Sequence, residues 1–102
     1  MSYNTPEGKI KRKVVEVLKA HKVWYFFPAN NGFGKAGIPD IIAIVNGKFM
    51  GVEVKADRTK KPSALQQKCG EEIQRAGGWW FLVYDDESIG SLEQAVKEKL
   101  YR

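Results

Sequence analysis

The chain has 102 residues, 43% of them hydrophobic, and 17 Lys and Arg against 12 Asp and Glu give a net charge of +5. That length fits one domain with one core over residues 1–102, and the apolar content excludes a disordered tail. No apolar run approaches about 18 residues, which excludes a membrane-spanning helix; the basic balance, with a pI of 9.4, favours a polyanionic partner.

The segment Met1 to Glu7 lacks a basic stretch followed by an apolar one, so no secretory leader is expected there. Cys69 is the one cysteine and fits a reducing compartment. It is expected to be a small core residue, because His21 is the one candidate base for a thiol nucleophile.

Thr5 as N-cap and Pro6 in the first turn predict a helix running to about His21. Ile10, Val14, Val17 and Leu18 recur at helical spacing and form its buried stripe. Glu7 precedes Ile10 by three residues and Val14 by seven, so it falls on that stripe, whereas Glu16 projects to solvent. An acid in the first turn has an ordinary role at a helix N-terminus; on the buried side it also points inward. Val23 to Phe27 predicts a strand, ended by Pro28. The polar, glycine-rich loop from Ala29 to Ile38 contains Gly32-x-Gly34-x-x-Gly37. This is not a dinucleotide fingerprint, because no helix opens at the glycines; Pro39 and a strand follow.

The next stretch predicts a hairpin. Asn46-Gly47 lies between two apolar runs, and both residues tolerate the positive φ of a type I′ turn. With these as the loop, Val45 pairs with Lys48, Ala43 with Met50 and Asp40 with Glu53. Two carboxylates then stand opposite each other with Cβ atoms roughly 5 Å apart, which destabilises a sheet unless something positive sits between them. A hard divalent cation with oxygen ligands fits. Lys55 shares the face of Glu53. Ile41, Ala43 and Val45 face one way and Asp40, Ile42 and Ile44 the other, so the sheet is expected to be covered on both sides.

Ala56 to Lys61 reads as a basic loop. Pro62 and Ser63 start a second helix that ends at Gly77-Gly78 and buries Leu65, Cys69, Ile73 and Ala76. Trp79 to Tyr84 is a continuous apolar run, as for an interior strand. Asp85 to Gly90 is expected to be a loop, and Ser91 to Tyr101 a last helix turning Leu92, Val96 and Leu100 inward. The order is α-β-β-β-α-β-α.

At these residues the chain resembles the PD-(D/E)xK nuclease superfamily, and within it the small VRR-NUC branch. The pattern quoted in order is Glu7, Asn30-Asn31-Gly32, Gly37-Ile38-Pro39-Asp40, Glu53-Val54-Lys55, Gln66 and Ala76-Gly77-Gly78. Each piece alone is weak; all in order make the match. The resemblance implies an α/β, restriction-endonuclease-like fold: an αβββαβ core with a mixed central sheet flanked by helices, plus a C-terminal helix. It implies a metal-dependent endonuclease acting on DNA, with Asp40, Glu53, the carbonyl of Val54 and, directly or through water, Glu7 as metal ligands. Lys55 would orient or deprotonate the attacking water or stabilise the transition state, and Gln66 would position Lys55 or a phosphate. Mg²⁺ suits such an oxygen-only site and Mn²⁺ can substitute.

Basic residues cluster at Lys9, Lys11, Arg12 and Lys13, and again at Arg58, Lys60 and Lys61. Lys9, Arg12, Arg58, Lys60 and Lys61, with Asn30, Asn31 and Lys35 of the loop before Asp40, are the expected contacts to a DNA backbone. Standalone relatives of this size look like phage or bacterial structure-selective enzymes, which implies branched or four-way-junction DNA, a homodimer and the cytoplasm of a bacterial cell or phage-infected host. Trp24, Tyr25, Phe26, Phe27, Trp79 and Trp80 crowd two strands, and a domain this small is expected to leave one or two of them at an interface. Two alternatives remain: a non-catalytic nucleic-acid-binding domain of nuclease fold, and a nuclease of another substrate class. The first would lack one of Asp40, Glu53 or Lys55, and all are present.

Overall fold

A computed structural model describes residues 3–29 and 34–101. Its elements are α1 (Pro6–Ala20), β1 (Trp24–Phe26), β2 (Ile41–Val45), β3 (Lys48–Val54), α2 (Ala64–Arg75), β4 (Trp79–Val83) and α3 (Asp86–Leu100), in the expected order. The strands form one sheet, β1-β2-β3-β4. The first three are antiparallel neighbours and β4 runs parallel to β3, so the sheet is mixed.

Local chemistry sets the boundaries. The Thr5 hydroxyl accepts from the Gly8 N–H at 3.0 Å and Pro6 occupies the first turn, which starts α1. Asn46 and Gly47 both have positive φ, 50° and 81°. This fixes the β2–β3 register at Val45 opposite Lys48 and Ala43 opposite Met50, as the sequence predicts. One more step beyond Ile41–Val52 places Asp40 opposite Glu53.

One face of the sheet carries the main core. Ile41, Ala43, Val45, Met50, Val52 and Val83 pack there against Val14 and Leu18 of α1 and Ile89, Leu92 and Val96 of α3. Full burial of each such side chain contributes about 1.5–3 kcal/mol. The other face is covered by α2 only near β3 and β4: Ile73 lies over Gly51, and the Trp80 ring lies over Gly70. Towards β1 and β2 this face is open, leaving Trp24, Phe26, Ile44 and Phe49 exposed. Coverage on both sides therefore holds for only part of the sheet.

Other expectations are corrected. α3 starts five residues before Ser91, because Asp85 caps it and forms a reciprocal capping box with Ser88. Ile89, expected in a loop, joins the core. β4 is an edge strand and not an interior one. α2 turns Gln66, Cys69, Gly70 and Ile73 towards the sheet, while Leu65 and Ala76 are exposed. The close approach of Trp80 to Gly70 sets that phase. Glu7 is exposed and Gly8 takes the buried position beside it.

Pro39 is fully buried and packs on Gly51. A Cβ added at Gly51 would lie 2.7 Å from Pro39 Cγ, an atom of a closed ring that cannot swing away. Gly51→Ala is expected to destabilise the fold by about 1–3 kcal/mol through overpacking, measured by urea unfolding.

Candidate active site

The site forms where the start of β2, the end of β3 and the first turn of α2 meet. Gly37, at φ 77°, brings the chain against the α2 start so closely that any side chain there would strike the Leu65 carbonyl. Ile38 and the buried Pro39 follow, and Asp40 stands at the mouth of β2. Its Oδ2 accepts from the Val54 N–H at 2.8 Å, which ties it to the end of β3.

Among the described residues Glu53 is the one buried ionisable acid or base of the site, 1% exposed. Strand alternation puts it on the α2 side, opposite the core positions Val52 and Val54. Its Oε2 accepts from Gln66 Nε2 at 3.0 Å. Its Oε1 is buried without a donor. The neighbouring Asp40 carboxylate is an acceptor too, so only a shared proton or a cation satisfies both. Burial, then the hydrogen bond to Asp40 and the Asp40 charge, push the Glu53 carboxyl up from 4.5 to about 8; Lys55 opposes this and Glu7 adds to it.

Gln66 joins these groups. Its side-chain carbonyl accepts from Lys55 Nζ at 3.1 Å and from the Ser63 N–H at 2.8 Å, while its amide donates to Glu53. The Ser63 hydroxyl accepts from the Gln66 N–H at 3.2 Å, completing the α2 capping box. The cap that starts the helix thus also fixes the distance between the Lys55 ammonium and the Glu53 carboxylate.

Asp40, Glu53, Val54, Lys55 and Gln66 are therefore brought together. Glu7 is near enough for its charge to act on Glu53. Among the described residues, however, no group of three or more His, Cys, Asp and Glu is close enough to hold one ion. Glu16 faces away and pairs with Arg12 at 3.6 Å. Two acidic side chains, one with an orphan buried oxygen, fit a hard divalent cation bound by oxygens, with main chain and water completing the set.

The expected DNA contacts scatter more widely. Lys9 is exposed on α1. Arg12 is engaged by Glu16, and Lys35 sits on α2, 3.1 Å from Glu72. Asn30 and Asn31 lie outside the described residues. Arg58, Lys60 and Lys61 border a cleft of about 520 Å³ beside the α2 start, with Pro62, Leu82 and Tyr84 also lining it. Sequence reasoning missed Leu82 and Tyr84, because a continuous apolar run does not mark which residues reach a cleft mouth.

A half-buried Asp40 paired with a buried Glu53 at a hairpin mouth, a Lys just beyond the same strand and this sheet order are those of a restriction-endonuclease-like fold. Among solved structures, one titled "VRR_NUC domain" superposes with a TM-score of 0.78 at 26% identity, covering 88% of this chain and 96% of that one. Over most of its length the chain is similar to that VRR-NUC domain and shares its nuclease fold. No family model and no curated protein matches it.

Without a cation the raised Glu53 carboxyl makes stability depend on pH. Between 4.5 and about 8 the folded chain holds a proton that the unfolded chain has released. Stability then falls as pH rises through that window. Asp40→Asn removes the opposing charge, so the metal-free variant should be as stable as the parent or more so at pH 8, with a flatter profile. Thermal melts in EDTA from pH 5 to pH 8.5 check this.

Proposed function

We propose that the chain is a Mg²⁺-dependent DNA endonuclease that hydrolyses phosphodiester bonds. The observation that carries this reading is the pairing of Asp40 with the buried Glu53, with Lys55 held beside it by Gln66. Asp40, Glu53 and the Val54 carbonyl would hold the cation, with Glu7 acting through water; Mn²⁺ would substitute. When bound, the cation supplies charge neutralisation at the phosphate and a more acidic water. Lys55 orients the attacking water and stabilises charge developing on the phosphate oxygens. Gln66 prevents the Lys55 ammonium from collapsing onto Glu53, because its amide sits between them. Arg58, Lys60, Lys61 and Lys9 contribute phosphate affinity that falls with salt.

A panel of four-way junction, flap, duplex and single-stranded DNA tests this reading. Mg²⁺-dependent cleavage is expected, with branched substrates preferred. Asp40→Asn should abolish it. Glu7→Gln should lower it at least tenfold and weaken metal affinity, whereas Glu16→Gln should do neither. Full activity in Asp40→Asn would overturn the site.

The branched substrate fits a homodimer presenting two sites. Trp24, Ile44 and Phe49 form one row across β1, β2 and β3, with Phe26 beside it. They are 42–61% exposed, and the row is uncharged. On a chain of net charge +5 this is where two copies meet with least repulsion. Trp24→Glu combined with Phe49→Glu should convert a sedimenting dimer to an 11.5 kDa monomer. A parent chain already monomeric at micromolar concentration would overturn the assembly.

A further inference from the structure

We infer that the cleft beside the active site binds one unpaired nucleotide of the substrate strand, with its base against Tyr84 and Leu82 and its phosphates against Lys60, Lys61 and Arg58. The inference rests on the nuclease reading and adds a basis for substrate choice. Three observations support it.

The first is the composition of the cleft. A contact made to phosphates alone needs cations and no apolar floor. Here Pro62, Leu82 and Tyr84 line the same cleft as Arg58, Lys60 and Lys61. Its volume of about 520 Å³ is of the size that encloses a small organic ligand. An aromatic ring with cations around it matches a base joined to phosphates.

The second is position. Leu82 is the parallel-strand partner of Glu53, one strand spacing away, about 4.8 Å. Ser63, hydrogen-bonded to Gln66, and Gln67, next to it in sequence, also line the cleft. A nucleotide seated there therefore adjoins a phosphate held at Glu53 and Lys55.

The third is the state of the cations. Lys60 and Lys61 are exposed, and neither joins an ion pair among the described residues. Arg58 is 74% exposed, and its nearest carboxylate, Asp85, is 4.0 Å away. All three remain available to phosphate.

A base within a duplex has both faces covered by its neighbours, so only an unstacked base can lie on Tyr84. The cleft thus selects DNA with an unpaired nucleotide beside the scissile bond.

The test is binding in EDTA, where no cleavage occurs. The probes are a short single-stranded oligonucleotide, the same strand with one abasic site moved along it, and a blunt duplex of equal length. One abasic position should weaken binding about tenfold, the effect of losing one stacked base. Tyr84→Ala should cost the same on the intact strand and nothing further on that abasic strand; Tyr84→Phe should restore binding. Lys60→Ala with Lys61→Ala should weaken intact strand, abasic strand and duplex in equal proportion. Equal binding of intact and abasic strands at every position would overturn the proposal and leave a phosphate contact only. If Tyr84→Ala does not fold, the abasic series on the parent chain decides alone. Absence of binding to any of these nucleic acids would overturn the nuclease reading itself, and this inference with it.

Discussion

Two carboxylates forced together at the mouth of a hairpin are the constraint on which the rest of this molecule depends. Asp40 and Glu53 face each other because the Asn46-Gly47 turn admits one register. Nothing in the fold gains from the encounter. Glu53 is 1% exposed and keeps an oxygen without a donor. A buried, half-satisfied acid costs stability wherever it occurs. A proton relieves it in the metal-free chain, and a divalent cation would relieve it more completely. The destabilised pair and the proposed ligand set are thus the same feature.

The surrounding structure holds the pair in place and does not let it relax. Pro39 is wedged on Gly51, Gly37 is pressed to the α2 backbone, and the Val54 N–H fixes Asp40. Gln66 does three jobs with one amide: it closes the α2 capping box, accepts from Lys55 and donates to Glu53. A change in helix start would therefore move the chemistry. Glu7 contributes at longer range, as a charge that Glu53 feels.

Features that depend on few residues were legible in the sequence. Asn46-Gly47 set the hairpin, Thr5-Pro6 set the start of α1, and counting outward from the turn located Asp40 against Glu53. What was not legible depends on tertiary contacts. Leu65 looked buried by helical spacing, yet the packing of Gly70 on Trp80 turns α2 so that Leu65 is exposed. Trp79 to Val83 reads as interior because it is apolar throughout, but such a run reports covered faces and not hydrogen-bonded edges, and β4 is an edge. The Asp85-Ser88 box was present in the sequence, and Gly90 obscured it by suggesting a loop. Glu7, expected on the buried stripe, is exposed, and Gly8 takes the buried position at the head of α1.

The two faces of the sheet divide the work. The face under α1 and α3 is closed, apolar and continuous, and supplies the stability that the acid pair consumes. The face under α2 is only half covered, and on it or at its rim lie Glu53 and Gln66, the cleft at Leu82 and Tyr84, and the open row from Trp24 to Phe49. A longer or better-packed helix in the place of α2 would bury that row and close the cleft, giving a more stable domain with less surface for DNA or for a second copy. The short α2, whose capping residue Gln66 also holds Lys55, balances these demands.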